Sequence, residues 1–200
     1  MWTQIRPRVR GIYYALTGES IPLHRGEQNQ PFFIVGSGRC GTTLLRRILQ
    51  ASSEVHIPPE SWGLGYAIHH FKQNQWYLDW AQIVDIVVST YEHRSHDWFE
   101  SPPTQLVDEL SDWPSERRSL YSLLDRIYRY HGEAVGAEFT RWGDKTPLHV
   151  GYMGTILEVF PDARFIHLVR DGVDVAYSWS QVEHEESEDL IGGAKRWVGA

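Results

Sequence analysis

A short apolar run, Pro31-Phe-Phe-Ile-Val35, opens after a polar stretch and stops at Gly36, which predicts a buried strand. Thr42 to Gln50 follows with helical spacing; it predicts Leu44, Leu45, Ile48 and Leu49 on the inner face and Arg46 and Arg47 outside. A second strand is expected over Val55 to Ile57, stopped by Pro58-Pro59. Residues 63–131 read as mostly helical, with aromatic-rich segments at Ala67–Trp80 and Gln82–Tyr91 and a break at Ser101-Pro-Pro103. Ser119 to Tyr130 then repeats Leu120, Leu123, Leu124 and Ile127 at helical spacing. A strand pattern returns at Trp142-Gly-Asp144, followed by a helix near His149 to Phe160, a strand over Arg164–Val169 and a helix from Gly172 to about Ser180. The acidic run Glu183–Asp189 reads as a solvated loop, and there is no internal repeat.

Strands alternating with helices predict an α/β fold: a three-layer sandwich with a parallel central sheet and a helical insert over about 62–133. In such folds ligands sit beyond the carboxyl ends of the strands. Four candidate functional segments fall at or just after those ends. The chain's 200 residues suffice for one domain with a real core.

Charge sharpens this picture. The net charge of −7 divides unevenly, with seven Arg and two acids in residues 1–50 and twelve bases against 24 acids in the remainder. The basic end holds the glycine loop and suits an anionic ligand, whereas the acidic remainder argues against a nucleic-acid surface. A single Cys excludes an internal disulfide and fits a reducing compartment, so a cytoplasmic location is expected. No apolar run approaches the roughly 20 residues of a membrane span.

Gly36-Ser-Gly-Arg-Cys-Gly-Thr-Thr43 is spaced G-x-x-x-x-G-T-T, between the predicted strand and helix. Glycines let the backbone bring its amides close to phosphate oxygens, and the helix N-terminus adds free N–H donors. Thr42 stands where a P-loop lysine would stand, and Arg39 offers the cation instead. Phe165-Ile-His-Leu-Val169 before Arg170-Asp171 has the look of a metal-holding strand, but Arg170 occupies the tip where an acid would serve better. Arg170 and Ser178 are separated by about 12 Å of helix, so they share one phosphate only if the ligand lies against that helix.

With these segments together, the chain resembles the PAPS-dependent sulfotransferases, which use an activated-sulfate nucleotide. Residues 32–45 resemble that family's 5′-phosphosulfate loop, and Ala163 to Ser178 its 3′-phosphate motif, with Arg170 and Ser178 at the matching arginine and serine. Pro59-Glu60 and Gly143-Asp-Lys-Thr-Pro147 are similar to the branch holding protein-tyrosine sulfotransferases and many bacterial relatives. The resemblance implies PAPS as co-substrate, PAP as product and no required metal. It implies nucleotide contacts from Arg39, Cys40, Gly41, Thr42, Thr43, Arg170 and Ser178. Arg39 and Lys145 would stabilise charge on the leaving oxygens, and Glu60, placed by the stiff Pro58-Pro59, would serve as general base. Asp144 is the second candidate base, or else an ion-pair partner of Lys145.

The family usually has Ser at the position of Cys40, and it runs on past this chain's last helix, so the expectation is a domain short of its C-terminal part. The acceptor is a hydroxyl or amine carrier of open class: carbohydrate, lipid, peptide or small molecule. A P-loop kinase or NTPase and a non-catalytic nucleotide-binding module remain the alternatives. Cys40, beside Arg39 and a helix N-terminus, is expected to have a lowered thiol pKa and to be shielded by nucleotide. His167 reads as a buried core residue, and Trp76, Tyr77 and Trp80 as a cluster on one helix serving the core or a sugar platform. His69-His70 and His93-x-x-His96 lack acidic or Cys partners at ligand spacing, so no metal site is expected.

Overall fold

The computed structural model describes residues 20–94, 102–182 and 189–200. Four parallel strands form one sheet in the order β2-β3-β1-β4: β1 (Phe32–Gly36), β2 (Val55–His56), β3 (Arg141–Lys145) and β4 (Arg164–Leu168). Every β1 residue is buried, as a continuous apolar run between two neighbours requires. Alternate β1 side chains serve two cores. Phe33 and Val35 face the larger one, built with the helices between β2 and β3, while Phe32 and Ile34 pack with Ile57, Leu45 and Leu49 on the other side. Helices on both faces of a parallel sheet make the expected three layers.

Helix α1 (Thr42–Leu49) connects β1 to β2. Its inner face is narrower than the periodicity implied. Leu45 and Leu49 pack inward, but Leu44 and Ile48 are 64% and 60% exposed. Arg46, expected outside, is part-buried because its guanidinium donates to the Ile57 carbonyl at 2.9 Å. That bond ties α1 to the segment leaving β2.

Between β2 and β3 lie α2 (Leu64–Asn74), α3 (Trp80–Arg94), a 3₁₀ turn continuing as α4 (Val107–Ser111), and α5 (Leu120–Ala134). Trp80 starts α3 rather than ending α2, so the supposed one-helix aromatic cluster is divided. Trp76 and Tyr77 lie in the exposed connection, and Trp80 is buried with its indole N–H on the Leu110 carbonyl at 2.6 Å. Ser119 caps α5 through the Ser122 amide. Tyr128 on α5 stacks on Trp142 of β3 with centroids 3.9 Å apart, which fixes the helical segment against the sheet.

After β3 a 3₁₀ stretch, Pro147–Tyr152, precedes α6 (Met153–Val159), splitting the single helix expected there. Beyond β4 come α7 (Gly172–Ser180), capped by Asp171, and α8 (Leu190–Val198), capped by Asp189. Asp189 is exposed and lies just outside the helix it caps, and residues 183–188 lie outside the described residues, as do Ser101 and His96. His167 is exposed, contrary to expectation: among the described residues β4 is the outer strand, pairing only with β1.

Candidate active site

The carboxyl ends of all four strands point to one rim, and each is followed by one of the four candidate segments. At β1 the register pairs Gly36 with Leu168 of β4. A Cβ on Gly36 would lie 2.4 Å from the Leu168 carbonyl oxygen, so only glycine lets the strands stay paired to that point. The loop then curls through two left-handed residues, Arg39 (φ 67) and Gly41 (φ 97), into α1. Arg39 holds a conformation uncommon for a residue with a side chain. Gly41 caps α1 with no side-chain hydrogen bond, which leaves the first-turn amides available to an anion.

Cys40 corrects the sequence expectation. Its thiol is buried beside Val175 and Trp179 and donates to the Ser37 carbonyl at 2.6 Å. Burial pushes the thiol above its ordinary range, outweighing the nearby amides and Arg170. It is thus a clasp inside the loop rather than an activated nucleophile.

Arg39 reaches from the loop to α7, where its Nε donates to Ser178 Oγ at 3.1 Å. Arg170 comes back from the end of β4 to the Arg39 carbonyl at 3.3 Å, while its other amino group meets Asp174 at 3.1 Å. The loop residue and the two residues of the second motif, 131 and 139 positions away, are therefore interlocked. Asp171 is engaged in accepting from the Val173 and Asp174 amides, so the acid of the rival metal-strand reading is used as a helix cap.

Lys145, at the end of β3, is 4% exposed. Its ammonium donates to Glu60 at 2.5 Å and lies 3.4 Å from the Thr43 hydroxyl, so the third and second strand ends meet beside α1. A buried ammonium requires such partners. Asp144 is not the partner of Lys145. It is fully buried, accepts from the Tyr128 hydroxyl at 2.7 Å, and faces His149 Nδ1 at 3.0 Å without the alignment of a formal hydrogen bond. Burial and the Asp144 charge hold the Tyr128 phenol well above its ordinary pKa, so it remains a donor. Tyr128 also bonds Ser61 Oγ at 3.1 Å, and the Ser61 amide donates to Thr146 Oγ1 at 2.7 Å. This frame sets the backbone beside Glu60 and Lys145.

The model of the sulfotransferase family matches residues 31–190, from β1 to the start of α8. This chain belongs to the sulfotransferase family. Its relatives include an "uncharacterized protein" of Aquifex aeolicus, 27% identical over 203 residues, with 99% of this chain and 24% of that protein covered. They also include the omega-hydroxy-beta-dihydromenaquinone-9 sulfotransferase Stf3 of Mycobacterium bovis, 29% identical over 179 residues, covering 70% of this chain and 42% of Stf3. Among solved structures, the sulfotransferase domain from the curacin biosynthetic pathway matches with a TM-score of 0.48 and 20% identity, over 84% of this chain and 58% of that one. The chain thus spans well under two thirds of the length of the curated relatives it matches.

The structure brings the sequence-predicted residues together in two groups, Arg39 with Ser178 and Arg170, and Lys145 with Glu60 and Thr43, while the Cys40 thiol turns into the core. Sequence reading missed Tyr128, Ser61 and Thr146. Tyr128 carries no local signal, because it lies in a helix whose spacing reports only burial. Thr146 had one, its place between Lys145 and Pro147 at a strand end.

Proposed function

We propose that this domain transfers a sulfuryl group from PAPS to an acceptor hydroxyl, and that residues 1–200 act as one sulfotransferase-like domain with a helical insert. The observation that carries the reading is the Arg39–Ser178 hydrogen bond at 3.1 Å, with Arg170 on the Arg39 carbonyl. It ties the glycine loop to the Arg170–Ser178 segment, which supports the reading because a nucleotide with phosphates on both the 5′ and 3′ sides of its ribose needs two adjoining anion contacts. The Gly41–Thr43 amides and hydroxyls would hold the 5′ phosphosulfate, and Arg170 with Ser178 the 3′ phosphate. Bound PAPS supplies the sulfuryl group.

The chain's own residues account for the rest. Arg39 has the planar, permanently charged fork that grips two oxygens of a developing anion. Lys145 stands to neutralise the leaving oxygen. Once the anionic donor competes for Lys145, Glu60 is released to accept the proton of the attacking hydroxyl. The omega-hydroxy compound for which Stf3 is named favours a hydroxyl acceptor here. The single Cys as a free, buried thiol suits a reducing, cytoplasmic setting.

Binding of PAP and ADP tests this directly, since the second phosphate of PAP is on the 3′ oxygen. PAP is expected to bind about 10- to 100-fold more tightly, the worth of one or two charge-assisted hydrogen bonds. Arg170→Ala should remove most of that preference and leave ADP nearly unchanged, and a magnesium chelator should alter neither. Equal affinity for the two nucleotides would sink the proposal at its most specific point.

A further inference from the structure

Beside the Glu60–Lys145 pair lies a cavity of about 390 Å³, within the range of small-molecule sites. It is bounded by Trp62, Tyr66 and Gly65 at the start of α2 and by Thr146, Leu148 and Tyr152 across from them. Trp62 is two residues past Glu60 and Thr146 is next to Lys145, so the cavity adjoins the segments that carry the reactive pair, and Thr146 Oγ1 ties those segments together by accepting from the Ser61 amide. Its wall includes no Asp, Glu, Lys or Arg. Trp62, Tyr66, Leu148 and Tyr152 are each between 44% and 49% exposed, large apolar surfaces turned toward solvent around one concavity.

Gly65 supplies a second, independent observation. It lies in the first turn of α2 with no left-handed backbone to demand glycine. A Cβ there would meet only the Tyr152 ring at 3.5 Å, an ordinary contact. Glycine inside a helix costs about 0.5–1 kcal/mol relative to alanine. Neither backbone geometry nor steric crowding accounts for it; what its missing side chain leaves is space in the cavity.

We propose that this cavity is the acceptor site and that it takes an alcohol on an uncharged, apolar carbon chain. The assignment rests on the sulfuryl-transfer reading for its role, but its chemistry comes from the wall. A sugar needs several side chains that pair with its hydroxyls, and a charged peptide or anion needs a counter-charge; the wall offers His69, His149 and Thr146 as its polar side chains besides the aromatic N–H and O–H groups. Aromatic and aliphatic surface instead removes an apolar chain from water, with its hydroxyl end directed to Glu60.

Farnesol is a suitable probe, with N-acetylglucosamine and a tyrosine-containing acidic peptide as the polar arms. Equilibrium binding to the PAP-loaded chain and turnover with PAPS are both measured, for the parent, Gly65→Leu and Trp62→Ala. Farnesol should bind and be sulfated, and the two polar acceptors should not. Gly65→Leu should reduce farnesol binding and kcat/KM by about tenfold or more through filling the cavity, with PAP affinity unchanged. Trp62→Ala, at an exposed position, should lower farnesol affinity in the same direction without threatening the fold. PAP binding without farnesol binding, or use of either polar acceptor with no loss in Gly65→Leu, would overturn the assignment. Farnesol binding that survives in a chain unable to bind PAP would support the cavity assignment while sinking the donor reading.

Discussion

Glu60 and Lys145 illustrate how one side chain has two duties. Lys145 is almost wholly buried, and Glu60 supplies its charge partner at 2.5 Å. Glu60 is only partly covered, so it meets the lysine on one side and stays open to solvent on the other. Glu60→Gln keeps the shape and a hydrogen bond to Lys145 but removes the basic oxygen. Turnover should fall about 100-fold or more while PAP affinity stays near that of the parent. Comparable turnover by the two proteins, measured with a confirmed acceptor, would move the proton-accepting role to His149, which lines the cavity opposite Asp144. The role of Cys40 was misjudged from sequence for a definable reason. Proximity to Arg39 and a helix end is legible in the chain, but whether a thiol points at the ligand or into the core depends on the turn, and here it points to the Ser37 carbonyl.

Among the elements, β2 is short, yet it sets Glu60 through the rigid Pro58-Pro59 that follows. Its last residue, His56, is held by His131 of α5 across 2.8 Å between Nε2 and Nδ1. Burial, then the charges of His131 and Arg46, lowers the His56 pKa from 6.5 to about 4. The unfolded chain therefore takes up this proton first as pH falls, so the contribution to stability is complete above about pH 6.5 and is lost progressively toward pH 4. The difference corresponds to about 3 kcal/mol at most. Denaturant unfolding at pH 7, 5.5 and 4.5 should show that decline, and His56→Asn should flatten it. A parent protein equally stable across this range would show that the pair tolerates charge. Element existence was well legible here: all four strands were anticipated, and helix α7 at its observed bounds. The failures came where tertiary contacts outweighed periodicity, as in α1, whose Arg46 is drawn inward by the Ile57 carbonyl.

For the whole molecule, the layered sheet leaves β4 outermost among the described residues. Just after it Val169 and Val173 are 71% and 76% exposed. An open strand edge next to apolar surface invites pairing with another chain. The 200-residue chain by itself should therefore associate in a concentration-dependent way in sedimentation velocity, and Ile166→Lys on β4 should weaken that association. A monodisperse monomer at every concentration would show that the edge is protected. Solvent exposure of β4 also explains why His167 could not be placed from sequence: an apolar-flanked histidine reads as buried unless the identity of the neighbouring strand is known.

Taken along the chain, the alternation of short apolar runs with helical spacing determined the α/β class, and the order of glycines, hydroxyls and cations marked the candidate phosphate loop and the candidate second motif. These are local properties: a strand–loop–helix transition needs glycine at set places, and its chemistry is carried by residues a few positions apart. Tertiary structure alone decided which distant side chains meet. It paired Lys145 with Glu60 rather than with its neighbour Asp144, because successive residues of a strand point to opposite faces. It likewise joined Arg39 to Ser178 and assembled the cavity from α2 and the turn after β3. Strand order sets those meetings, and strand order depends on the packing of whole layers, which no short stretch of sequence encodes.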